Sequence, residues 1–141
     1  MKNVVQLNKW ANAHTTVYID VLRVATGLFL LLKGAHFANQ SQDLTEILGT
    51  MGTSVGASFI LVHYVAMSHL VGGLFICIGL LTRLSLCVQL PILVGAVAVN
   101  FIGVMNVENL IQASSILFLS IFFLFYGSGK HSADYSLKLN M

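Results

Sequence analysis

The chain has 141 residues, 57% of them hydrophobic and 9% charged, with a mean hydropathy of +0.86. A soluble domain carries about a quarter charged residues, so this chain cannot clothe a water-facing surface, and the composition describes one membrane domain. The net charge of +2 is too small to point to nucleic acid, and one Pro and two Cys exclude a Pro-rich linker or a disulfide scaffold.

Residues 1–16 are polar, with Lys2 and Lys9. The first apolar run starts near Val17, is too long for a signal-peptide core and lacks a small-residue cleavage site, so it is expected to remain as a span. A bilayer core of about 30 Å takes about 20 apolar residues in a helix. Four stretches fit: Val17–Ala38, Ala57–Leu81, Leu84–Met105 and Glu108–Tyr126. Only Thr82-Arg83 and Asn106-Val107 separate the later spans, and such short connections force antiparallel neighbours. The predicted fold is therefore all-α, an integral membrane up-down four-helix bundle. In the first outer connection, Asp43-Leu-Thr-Glu46 reads as a capping box ahead of Ile47 and Leu48. It predicts a short interfacial helix, with a plain loop as the alternative. Gly127 and Gly129 end the fourth helix, Lys130 anchors it, and the polar tail from His131 onward is expected at the surface or disordered.

Lys2, Lys9, Arg83, Lys130 and Lys138 fall on one side of this topology, while Asp43, Glu46 and Glu108 border the other. The positive-inside rule then places both termini in the cytoplasm.

Polar side chains at membrane depth are costly and are functional candidates by default. Counting about 1.5 Å per residue from the outer ends, Lys33, His36, His63, Asn100 and Gln112 share the outer half, with His69 near mid-depth. They predict an outward-opening polar pocket above an inner charged cluster of Asp20, Arg23 and Gln89. Simpler roles stand beside this one. Asp20 and Arg23 can pair within the helix, with Arg23 snorkelling to the interface, and Lys33 can snorkel outward. His36 can be interfacial, His63 can join Tyr64 in an aromatic belt, and His69 can bond Asn100 or Gln112 across helices. His63 and His69 are six apart and cannot ligate one ion from a regular helix. His36 and His63 differ in depth, which argues against a bis-His haem, so no metal site is expected. Imidazoles with a pKa near ~6.5 suit proton exchange with a quinone instead. Cys77 and Cys87 flank the Thr82-Arg83 turn symmetrically. They are two buried thiols, or a redox pair if their Cα atoms come within about 7 Å.

Three pieces carry a family resemblance: Arg23-Val-Ala-Thr-Gly27-Leu-Phe29 with Lys33-Gly34, the central Gly79-Leu-Leu-Thr-Arg83-Leu84, and Gly127-Ser-Gly129 followed by Ser132-Ala-Asp134. Over nearly its whole length the chain resembles the DoxX family of small bacterial four-helix membrane proteins. The tail departs from the family's ending, in which Ser-Leu-Asp follows Gly-x-Gly closely, by Lys130-His131 and Ala133. The resemblance implies the bacterial inner membrane. Similar proteins include a subunit of a thiosulfate:quinone oxidoreductase and a member of a membrane oxidoreductase complex that handles oxidative stress; no catalytic residues carry over. Three functions remain open. The first is a redox-associated subunit binding a quinone or similar amphipathic ligand in the outer pocket. The second is a non-catalytic accessory subunit, or a homo-oligomer, whose glycine faces pack against a membrane partner. A small-solute transporter ranks third, because no inverted repeat is evident.

Overall fold

In the computed structural model, which describes residues 16–39, 54–102 and 105–137 with the single positions 6, 46, 49 and 52, all regular structure is helical. The elements are α1 (Val17–Asn39), α2 (Val55–Ile78), α3 (Thr82–Ile102), α4 (Val107–Tyr126) and the single turn α5 (Ala133–Ser136). Helices α2, α3 and α4 are long and apolar enough to cross a membrane. Helix α1 has 23 residues, about 35 Å at 1.5 Å per residue, but it carries Asp20, Arg23 and Lys33. The expected interfacial helix falls outside the described residues.

Caps set the boundaries. Ser54 opens α2 by accepting from the Ala57 amide. The helix stops at Ile78, three residues short of the expected Leu81, because Gly79 is left-handed at φ 69°. The Gly79 and Leu80 amides turn back to the Ile76 and Phe75 carbonyls, which satisfies the last carbonyls of the helix. Leu81, at φ 49°, is a second left-handed residue, unusual for a branched side chain. Thr82 and Arg83, expected as the connection, thus form the first turn of α3. Asn106 caps α4 through the Asn109 amide.

Each long helix runs antiparallel to the one before it. Helix α1 packs most extensively on α2, α3 packs on α4 and on α2, and α1 touches α4 only lightly. The α1–α2 seam is close because glycines let the backbones meet. A Cβ on Gly34 would lie 2.7 Å from the Leu70 nitrogen, one on Gly73 2.6 Å from that of Leu31, and one on Gly27 2.6 Å from that of Cys77. These glycines, expected to offer a face to a partner, are used within the chain. Leu30, Ile76, Leu86, Leu93, Ile116, Phe123 and Tyr126 form the apolar core. Large apolar side chains such as Ile60, Phe118 and Phe125 remain exposed on the outside, as a lipid-facing surface requires.

Replacing Gly34 with Leu should force the α1–α2 backbones apart and cost about 1–3 kcal/mol or more, the usual penalty of overpacking. Thermal unfolding in detergent checks this against Gly95→Ala. A Cβ on Gly95 meets nothing within 4 Å, so that variant should melt close to the parent protein.

Candidate functional site

The most elaborated polar structure lies at the end of the helices that carries the α2–α3 turn. Gly127 and Gly129, both at positive φ (89° and 77°), let the chain reverse after α4. Residues 127–137 then fold back as a strap over that end. Ser132 caps α5 through the Tyr135 amide at 3.2 Å and donates to the Gly129 carbonyl at 2.7 Å. Asp134 reaches the turn itself. Its carboxylate accepts from the Leu81 amide at 2.7 Å and the Thr82 amide at 3.3 Å, and its own amide donates to the Gly79 carbonyl at 2.9 Å. The first amides of α3 have no partners within their own helix, so Asp134 acts as an N-cap supplied from 52 residues away, with the helix dipole favouring its negative charge. Of the tail expected at the surface or disordered, residues 131–137 follow the surface alternative, with His131, Tyr135 and Leu137 exposed, except that Ser132 and Asp134 are 4% and 7% exposed.

Beneath the strap lies Arg23, 3% exposed, buried rather than snorkelling. Its Nη2 donates to the His131 carbonyl at 3.2 Å and stands 3.7 Å from Asp20 Oδ1. Asp20 Oδ2 meets His131 Nδ1 at 2.7 Å, with the imidazole largely exposed. A Cβ on Gly79 would collide with Arg23 Nη1 and with Ser132, so the glycine that ends α2 also makes room for the guanidinium. Asp20 and Arg23 therefore do come together, joined by three residues that the sequence reading left out: His131, Ser132 and Asp134.

Gln89, grouped with that cluster from sequence, stands apart at mid-depth. It is fully buried and donates from Nε2 to the Ser68 carbonyl at 2.9 Å. A Cβ on Gly72 would lie 2.6 Å from that nitrogen. His69 is 4% exposed, packed where a Cβ on Gly34 would lie 2.9 Å from its own Cβ, with its ring 5.9 Å from that of Phe37. Its Nδ1 has no hydrogen-bond partner, and neither do Gln89 Oε1 and Ser120 Oγ.

The remaining pocket candidates are engaged close to home. His63 is exposed, its ring against Phe59 and its Nδ1 at 2.8 Å from the Phe59 carbonyl. His36 is exposed, beside Phe37. Lys33 lies over Phe29, with Nζ 5.8 Å from the ring centroid. Asn100 bonds the Ala96 carbonyl and receives the Asn106 amide, tying down the α3–α4 connection, and Gln112 bonds Glu108 one turn back. Cys77 turns toward α1, with Sγ 3.5 Å from the Val24 carbonyl, whereas Cys87 is exposed on α3; both are free thiols. Among the described residues, no three His, Cys, Asp or Glu side chains converge to hold a metal ion.

The DoxX family model matches residues 18–102. The chain belongs to the DoxX family. No curated protein and no solved structure matches it. With three helices able to cross a bilayer, this DoxX chain is a membrane protein. The matched stretch spans α1 to α3, including Arg23 and the Gly79–Arg83 turn. The strap and Asp134 lie beyond it, yet they complete the cluster that the stretch begins. The available signal was Ser132, a capping residue three before Tyr135, following a Gly-x-Gly chain reversal.

Asp134→Ala should destabilise the protein by about 2–4 kcal/mol, because two bonds to a charged acceptor are lost and two amides are left buried. Asp134→Asn, which keeps one acceptor, should cost less. Thermal melting with limited proteolysis of residues 127–137 reads both, with cleavage following the loss of the cap.

Proposed function

We propose that this DoxX-family chain is a four-span protein of the bacterial inner membrane that binds a quinone or similar amphipathic ligand at His69, as a subunit associated with a membrane oxidoreductase. Helix α1 completes the four spans, because its charges are accommodated at the packed face or by a neighbour: Arg23 is buried under the strap and Lys33 rests on Phe29. Arg83 and Lys130 mark the α2–α3 end as cytoplasmic, with Lys2, Lys9 and Lys138, and Glu108 stands at the opposite end.

One observation carries the ligand reading. His69 is buried at mid-depth with an unpaired ring nitrogen, where an unsatisfied polar atom is expensive and a ligand carbonyl or hydroxyl would satisfy it. Phe37 supplies an aromatic wall against a planar ring. The outer pocket narrows accordingly to His69, Lys33 and Phe37, since His63, Asn100 and Gln112 already have partners.

A second reading, an accessory subunit for a larger membrane complex, draws on the outer side of the α2–α3 seam. There Met67, Val71, Phe75, Leu84 and Val88 wall a groove of about 310 Å³ over Ser68, Gly72 and Ser85, small residues of the kind that accept another transmembrane helix.

Purified protein in nanodiscs should bind a short-chain ubiquinone analogue, and His69→Ala should weaken binding about tenfold, the value of one hydrogen bond. Equal affinity in parent and variant would sink the assignment; a stoichiometric membrane partner with no bound ligand would favour the second reading. Reporter fusions at either terminus should both report the cytoplasmic side.

A further inference from the structure

The unsatisfied polar atoms of the interior are not scattered. Among the described residues, the buried side-chain nitrogens and oxygens without a hydrogen-bond partner are Asp20 Oδ1, Arg23 Nε and Nη1, Arg83 Nε, Thr82 Oγ1, Gln89 Oε1, Ser120 Oγ and His69 Nδ1. The first five sit at the strap-covered end, the next two at the level of Gly72, and the last one turn beyond. None lies between His69 and the α3–α4 connection, where Asn100 and Asn106 satisfy each other.

Register aligns them into one line. Thr82, Ser85 and Gln89 lie on one face of α3 and are 1%, 6% and 0% exposed. The bond from Arg83 to the Phe125 carbonyl sets α3 against α4 so that Gln89 is level with Ser120, itself fully buried. Gly72, against which Gln89 packs, lies three residues from His69 on α2. At 1.5 Å per residue, the axial steps from Thr82 to Ser85, Gln89 and His69 are about 4.5, 6 and 4.5 Å. One water bridging two hydrogen bonds spans about 5.6 Å. Buried waters settle where polar groups lack partners; Thr82, Gln89, Ser120 and His69 supply such atoms, and the Ser85 hydroxyl stands between the first two.

We propose that the chain holds a file of bound water between the Asp20–Arg23–Asp134 cluster and His69, along which protons reach that imidazole from the aqueous surface at the strap. The file has a titratable group at each end. At the mouth, Asp20 and the exposed imidazole of His131 are in contact at 2.7 Å; His69 terminates the line. The relay balances. A hydronium at the mouth gives a proton to the first water, each water passes one proton on, and the last gives one to the lone pair of His69 Nδ1, leaving an imidazolium; discharge runs the same steps backward. The charged and titratable groups facing the mouth are Asp20 and Arg23 from α1, Cys77 from α2, Arg83 from α3, and His131 and Asp134 from the strap. Lys33 of α1 lies between the Leu31–Gly73 and Gly34–Leu70 approaches, with its ammonium turned back over Phe29. Asp20 beside Arg23 offsets the guanidinium charge that would otherwise repel an entering proton. Ligand and file meet at the same Nδ1, so the relay is read in the ligand-free protein.

The test is proton exchange at His69 in full-length, histidine-¹⁵N-labelled protein in nanodiscs, read by NMR as magnetisation transfer from water and assigned with His69→Gln. The parent protein should exchange. Gln89→Leu, which fills the middle of the file with apolar volume, should slow exchange at least tenfold with helicity and melting retained, and the smaller Ser120→Ala change should slow it by a lesser factor. Gln112→Leu, on α4 beyond the level of His69 and bonded only to Glu108, should leave the rate unchanged. Equal rates in the parent and in both file variants overturn the proposal, as does a rate that falls with Gln112→Leu instead. If Gln89→Leu does not fold, Ser120→Ala decides alone. Quinone binding is measured separately, so either idea can fail without the other.

Discussion

The structure turns on one buried charge. Arg23 is almost fully removed from solvent, and a buried guanidinium is tolerable only where its neighbours supply opposite charge and acceptors. Those neighbours come from the rest of the chain. Asp20 comes from the same helix, room comes from Gly79 at the end of α2, and the His131 carbonyl comes from the strap after α4. Once the strap is there, Asp134 caps α3. A single side chain on the first helix is thus bound up with the stop of the second, the start of the third and the reversal after the fourth. Removing any one of these contacts leaves the others with unsatisfied partners, so the cluster behaves as a unit.

Glycine is the means by which polarity enters the interior. Gly79 admits Arg23, Gly72 admits Gln89 and Gly34 admits His69, each across a helix seam. A side chain at any of these places would occupy the volume that its polar opposite now fills. The outside is the inverse, with large apolar residues exposed along every long helix. This distribution answers to two solvents: hydrocarbon outside takes no hydrogen bonds, while the few polar groups inside must find their partners in one another.

The long helices, three of them apolar enough to span a membrane, and their antiparallel order were legible because hydrophobic length and short connections are local properties. Arg23, Gly79 and Asp134 were legible only as separate marks. Their meeting depends on two tight reversals, at Gly79–Leu81 and at Gly127–Gly129, and on a strap whose polar composition reads as solvated when taken alone. Depth counting grouped His69 with His63, Asn100 and Gln112. Depth says nothing about which way round a helix a residue points or what it bonds: His63 is exposed, Asn100 bonds its own turn and the α3–α4 connection, and Gln112 bonds Glu108 one turn back. Gln89 shares a face with Thr82, yet seven residues of rise separate it from the charged end.

The seams also decide how anything could reach His69 from the bilayer. Between α1 and α2 the backbones touch at Gly27, Gly34 and Gly73, leaving no gap for even a methylene. Between α2 and α3 the Gln89–Ser68 bond closes the same level. Helices α1 and α4 make the lightest contact of the ring, and no glycine-to-backbone approach draws them together. That seam has the least packing to lose. The proposed water file runs on the other side, along the line of Thr82, Gln89 and Ser120.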